Sequence, residues 1–158
     1  MKTLNGFLNE LAPIGKLERP ATVIATDSTI HKLVRDGIKK YGKNADLNYI
    51  DVSQVTDMES LFNKPDFRNF NGDVSDWKVS NVTNMKQMFA DCKKFNCPLD
   101  NWVVSNVKNM EGMFWGCSKF NQSLNNWNVE KDAYAYTYTI FVGCPLIFNP
   151  PSWYIPKN

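Results

Sequence analysis

Residues 70–94 (FNGDVSDWKVSNVTNMKQMFADCKK) align without a gap on residues 95–119 (FNCPLDNWVVSNVKNMEGMFWGCSK), and 13 of the 25 positions are identical. Chance would give about one or two identities at average residue usage. A repeat of this period limits the fold strongly, because a unit so short cannot bury its apolar side alone and must pack on its neighbours. The same frame continues with Phe120, Asn121, Leu124, Trp127 and Val129, then resumes after two extra residues at Phe141, Gly143 and Cys144. It also runs backwards: Val52, Ser53, Val55, Met58 and Phe62 stand 27 residues before Val79, Ser80, Val82, Met85 and Phe89.

These registers define about four coils, at 47–69, 70–94, 95–119 and 120–147. Within a coil the aliphatic residue and the Trp lie three apart, and the Met-x-x-Met-Phe-x-x-Cys run has the spacing of a short helical turn. The expected fold class is therefore α/β: a short right-handed leucine-rich-like solenoid with one short strand and one helical turn per coil. Coils about 4.8 Å apart would pair strand on strand and align identical residues in ladders. The expected ladders are Trp77, Trp102 and Trp127; Phe70, Phe95 and Phe120; Met85 and Met110; Met88 and Met113; Phe89, Phe114 and Phe141; and Cys92 and Cys117. Asn81 and Asn106, with Asn84 and Asn109, fall where the chain must turn, and their side chains can satisfy backbone groups at a corner.

The pattern W-x-V-S-N-V-x-N-M-x-x-M-F-x-x-C-x-x-F-N runs from Trp77 to Asn96 and again from Trp102 to Asn121. It resembles the repeat family of bacterial surface proteins, related to the treponemal type of leucine-rich repeat and known from long surface proteins and lipoproteins of mycoplasmas and other bacteria. The resemblance covers residues 47–130, with ADLNYIDVSQVTDMESLF (45–62) as its lead-in. It implies a leucine-rich-like fold and a binding role, and it implies no activity.

A stack of coils has two raw ends that need covering. At the front, ATVIA (21–25) reads as a strand and Thr26, Asp27 and Ser28 as helix N-cap residues. Ile30, Leu33, Val34, Ile38 and Tyr41 then share one helical face, which Gly42 ends. The other face carries Lys32, Arg35, Lys39, Lys40 and Lys43, as a solvated face or a docking patch. Leu4, Phe7, Leu8 and Leu11 form a smaller amphipathic run. At the far end Tyr134, Tyr136, Tyr138 and Ile140 alternate ahead of NPPSWYIP (149–156), as a cap or an exposed aromatic patch. The chain divides into an N-terminal amphipathic segment and helical cap (1–46), the repeat (47–147) and a C-terminal cap or tail (148–158), all one domain.

The 18 Lys and Arg nearly balance the 16 Asp and Glu. No nucleic acid partner is expected from so small an excess. No stretch approaches the roughly 20 apolar residues of a membrane span, so no membrane insertion is expected. Asn5, Asn9, Glu10 and Pro13 interrupt any secretion signal. The expected location is cytoplasmic for a complete chain and the cell surface for a processed chain or fragment.

Chemistry finds few footholds. Cys92, Cys117 and Cys144 share one repeat position, which suits small buried thiols better than a disulfide, and Cys97 is the odd one. With no CxxC pair and one histidine, His31, no metal is expected, and there is no phosphate-cradling glycine loop, so no cofactor either. His31 reads as structural, and Asp73, Asp76 and Asp100 as a solvated face rather than an acid and base pair. Asn81-Val82-Thr83 and Asn121-Gln122-Ser123 fit the glycosylation pattern but recur for turn geometry.

The expected function is a non-catalytic protein–protein interaction module, for example a stand-alone virus- or plasmid-encoded inhibitor or adaptor acting inside a cell. The alternatives are a surface or adhesion repeat and, last, an enzyme. Equivalent positions that differ between coils would form the recognition strip: Asp73, Ser75, Asp76 and Lys78; Asp100, Asn101 and Val103; Ser123, Asn125, Asn126 and Asn128. A homodimer through an open edge is a further expected form.

Overall fold

The computed structural model describes residues 20–130, 137 and 139–155. The run Leu4, Phe7, Leu8 and Leu11 and the tyrosines Tyr134, Tyr136 and Tyr138 lie outside the described residues. Regular structure is concentrated at the front. Strand β1 (Val23–Ile24) pairs in parallel with β2 (Ile50–Asp51), and helix α1 (Ile30–Tyr41) lies between them in sequence. The helix buries Ile30, Val34, Gly37 and Ile38 and turns Lys39 and Lys40 outward. Gly42, at φ 88°, ends it by donating its N–H to the carbonyl of Ile38. The N-cap position is Thr29 rather than Thr26, Asp27 or Ser28. The Asp27 carboxylate instead accepts the backbone N–H and hydroxyl of Thr56, each at 2.7 Å, and so ties the α1 entry to the repeat.

The expected α/β solenoid of four coils, each with a strand and a helical turn, is overturned. Among the described residues there is one α-helix, α1, and one two-stranded sheet, β1–β2; the repeat itself is irregular apart from short 3-10 turns at Pro65–Phe67 and Pro145–Ile147. The segment expected to be a strand is a chain of turns, closed by N–H to carbonyl bonds three residues apart such as Trp77 to Val74 (3.2 Å) and Val82 to Val79 (2.9 Å).

The Met-x-x-Met-Phe-x-x-Cys segment is not helical either. The N–H groups of Met88, Ala90 and Cys92 close local turns on Met85, Gln87 and Phe89. Those of Met85, Gln87, Phe89 and Asp91 point away and donate to Asn109, Glu111, Met113 and Trp115 of the next copy. A helix is also blocked sterically. Gln87 and Asp91 have φ of 51° and 61°, as do Gly112 and Gly116 at the equivalent places (60° and 71°), and a right-handed helix cannot pass through such residues.

Consecutive copies of the repeat nonetheless lie against one another in parallel. Isolated bridges join Asp46 to Asp73, Asp57 to Asn84 and Asn84 to Asn109. The interior is a spine of phenylalanines in two files. Phe70, Phe95 and Phe120 follow one another at 5.9 and 5.7 Å, and Phe62, Phe89, Phe114 and Phe141 at 5.0, 5.8 and 6.1 Å. The files touch at Phe62–Phe70, Phe89–Phe95 and Phe114–Phe120, with ring centres 4.0–4.5 Å apart. Met58, Met85, Met88, Met110 and Met113 are fully buried beside them. Aromatic contacts of this kind add about 0.5–1.5 kcal/mol each beyond area burial, so the files are a leading source of cohesion between copies.

Candidate interaction surface

The surface is built outward from the tryptophans. Trp77, Trp102 and Trp127 donate their indole N–H to the carbonyls of Leu47, Val74 and Leu99 at 3.0, 3.1 and 2.9 Å. The rings of Trp102 and Trp127 lie parallel, 6.5 Å apart. Trp153 joins this file: its ring stacks on Trp127 at 6.0 Å and its N–H reaches the carbonyl of Leu124 at 2.8 Å. The sequence signal for it is a distance of 26 residues from Trp127, hidden because the intervening segment breaks the repeat and leaves Trp153 among the tail residues.

Because each Trp is anchored inside, the residues around it are forced out. The strip expected to meet a partner separates into two groups. In the first, Asp73 closes a turn by accepting the backbone N–H and hydroxyl of Ser75, at 2.9 and 2.7 Å, and the thiol of Cys97 at 3.6 Å. Burial would raise the Asp73 carboxyl, and the bonds from Ser75 outweigh it and hold the group below the ordinary carboxylate value. Ser123 likewise accepts the N–H of Asn125. Ser123 and Asn125 also line a small polar recess with Asn149 and Pro151.

In the second group, Asp76, Lys78, Asp100, Asn101, Val103, Asn126 and Asn128 are all exposed. Val103 stands out as an apolar side chain 57% exposed among polar neighbours.

The asparagines at the corners act on the backbone. Asn81 and Asn106 donate to the carbonyls of Ser53 and Ser80 in the preceding copy, at 2.8 and 2.7 Å. Asn84 and Asn109 close local turns on Lys86 and Glu111, and the Asn84 amide also reaches Glu59. A further file, Asn71, Asn96 and Asn121, passes side-chain oxygen to the next backbone N–H at 2.9 and 3.0 Å.

Cys92, Cys97, Cys117 and Cys144 are free and buried. Cys92 and Cys117 aim their thiols at the carbonyls of Phe62 and Phe89 in the preceding copy, and Cys144 aims its thiol at the carbonyl of Phe120 at the start of its own copy. Burial pushes the Cys92 thiol up to about 12 and those of Cys97 and Cys144 to about 11; burial and then the neighbouring Cys92 and Cys144 raise Cys117 further. Such thiols stay protonated and unreactive at neutral pH.

Two exposed features are missing from the expectations drawn from sequence. Trp115 is 45% exposed and borders a cleft of about 230 Å³ with Gln87, Glu111 and Thr139, and Val142 is exposed at the equivalent place in the next copy. The signal was available, since Ala90, Trp115 and Val142 vary at one repeat position. The second is a recess between α1 and the Pro65–Phe67 turn that brings His31 and Arg35 to Lys64.

Among the described residues no helix is long and apolar enough to cross a membrane. Within the same residues no group of three His, Cys, Asp or Glu is placed to hold a metal ion. No curated protein and no solved structure matches the chain. A family described as Mycoplasma protein of unknown function, DUF285, matches residues 32–145. That span takes in most of α1, the repeat and the aromatic files, and the chain therefore belongs to the DUF285 family.

Proposed function

We propose that the chain is a non-catalytic protein-binding module, an inhibitor or adaptor, that meets its partner through Asp76, Lys78, Asp100, Asn101, Val103, Asn126 and Asn128. One observation carries the reading. These side chains are exposed beside the tryptophan file and vary between copies, fully at Lys78, Val103 and Asn128 and in one copy of three at Asp76, Asn101 and Asn126, whereas the buried positions beneath them repeat. A rigid frame with a variable outer row is how stacked repeats present a recognition surface. The non-catalytic reading is supported by where the carboxylates act. Asp46, Asp51, Asp57 and Asp73 each accept a backbone N–H two residues on, and serve the chain's own turns.

The test is a triple variant, Asp76→Lys, Asp100→Lys and Val103→Asp, which leaves Asp73 and Ser75 in place. Both proteins are used as bait in extract of the source cell, and thermal melting is compared. The expected result is a protein retained by the parent and lost by the variant at equal melting temperature. Equal retention, or no protein retained by the parent, sinks the reading.

A further inference from the structure

The recess between α1 and the Pro65–Phe67 turn has the chemistry of a ligand site. His31 and Arg35 lie one helical turn apart on α1, and Lys64 faces them from the repeat across a volume of about 270 Å³. Leu61, Pro65 and Phe67 supply an apolar wall, with Leu61 and Phe67 buried. That size lies just below the usual range for pockets that take drug-sized ligands, so the occupant is small.

The charges in it are unspent. The two ion pairs among the described residues join Lys32 to Asp36 and Lys86 to Glu111, and neither uses Arg35 or Lys64. One carboxylate, Asp66, lines the recess, and Lys43 binds that residue's backbone carbonyl. Two cations and an exposed imidazole around an apolar wall would gain charge-assisted hydrogen bonds from an oxyanion and area burial from its body.

We propose that this recess binds a small amphipathic oxyanion, a carboxylate or phosphate monoester carried on an apolar group. The site rests on residues outside the strip proposed above and stands or falls separately. Arg35 and Lys64 hold the oxyanion, His31 donates a ring N–H, and Leu61, Pro65 and Phe67 cover the apolar part. His31 is held below the ordinary imidazole value by burial first, then by Lys64, with Asp57 pulling up and Arg35 pushing down; Asp66 is the other charge facing the recess. A bound anion favours the imidazolium, so binding takes up a proton and tightens as pH falls through the His31 titration.

His31 is the single histidine of the chain and gives one imidazole signal. The full chain is titrated with benzoate, phenyl phosphate and inorganic phosphate while that signal is followed by NMR. Saturable shifts with the two aromatic probes are expected, and the tighter of them tells carboxylate from phosphate. Inorganic phosphate, lacking the apolar body, should bind more weakly than phenyl phosphate. Arg35→Gln and Lys64→Ala should each weaken binding roughly tenfold, while Lys39→Ala on the outer face of α1 changes nothing. Benzoate, whose charge is constant above about pH 5.5, should bind more tightly as pH is lowered toward that value. A drift without saturation, equal binding of the two phosphates, or equal losses in Lys39→Ala and Lys64→Ala overturns the proposal.

Discussion

The indole N–H of Trp102 donates to the carbonyl of Val74 at 3.1 Å, linking residues 28 apart in sequence. The bond spans the junction between two copies in the buried interior, and because the Val74 carbonyl also accepts the Trp77 N–H it keeps one partner without it, so the bond is worth about 0.5–1.5 kcal/mol. Trp102→Phe keeps most of the ring and loses the donor, so chemical denaturation should show a loss of about that size. Trp102→Ala also opens a cavity and should lose about 3–5 kcal/mol. If Trp102→Phe melts with the parent, the bond contributes nothing and cohesion rests on ring packing alone.

The left-handed positions predict opposite signs for similar substitutions. Gln87 sits at φ 51° where the next copy has Gly112 at φ 60°. Gln87→Gly should stabilise by about 0.5–1 kcal/mol, because relief of the backbone exceeds the added freedom of the unfolded chain. Gly112→Ala meets nothing closer than 3.4 Å and should cost only the backbone term, about 1 kcal/mol. Gly72→Ala is a different case: its Cβ would stand 2.4 Å from the carbonyl oxygen of Ala45, rigid backbone that cannot step aside. A loss of about 3 kcal/mol or more is expected, read as a shift in denaturation midpoint.

Thiol behaviour follows from burial. Cys92, raised to about 12, and Cys97 and Cys144, raised to about 11, hold their protons in the folded chain above the ordinary thiol value of 9.0, where the unfolded chain has lost them. Stability is therefore full below pH 9.0 and falls as pH rises through the folded values. Denaturation series between about pH 8 and pH 11 should show this decline, and Cys92→Ala with Cys144→Ala should flatten it. A thiol reagent at about pH 8 should label the folded chain no faster than it opens.

The contact from Asp27 to Thr56 makes a prediction at the other end of the pH scale. The Thr56 hydroxyl and then its backbone N–H hold the Asp27 carboxyl below its ordinary value. The stability it adds is complete above that value and is lost as pH falls through the depressed one. Thr56→Val removes the hydroxyl and should cost about 1 kcal/mol at neutral pH. It should also bring the Asp27 carboxyl back toward its ordinary value, which carboxylate NMR would register.

Much of the interior could be read in the sequence, and the local backbone could not. Phe89 and Phe114 repeat at 25 residues and meet at 5.8 Å, because identical neighbours in parallel copies are brought into register by the same bonds. The spacing from Met85 to Cys92 misleads, since residues three and four apart share a face both in a helix and in a run of tight turns. What separates the two is the sign of φ at Gln87 and Asp91, and its signal in the sequence is indirect, namely the glycines Gly112 and Gly116 at the equivalent places in the next copy. The recess at His31 is also out of reach of the sequence: Arg35 and Lys64 meet only because α1 is laid over the first copy. For the outer row, sequence variation marks the positions and the structure divides them, giving Asp73 and Ser75 to turn closure.

The asparagine file running Asn71, Asn96 and Asn121 has a bearing on how such a chain can change length. Each amide oxygen serves the unit immediately after it, the Asn96 oxygen taking both the Asn121 N–H and the Gln122 amide, so no bond in the file reaches two units away. Tandem duplication of one 25-residue segment would present the same acceptor to the same donor at both new seams. Genes of this kind can therefore lengthen or shorten by whole units during replication, leaving a protein whose joints are already satisfied and whose outer row has gained or lost one tier.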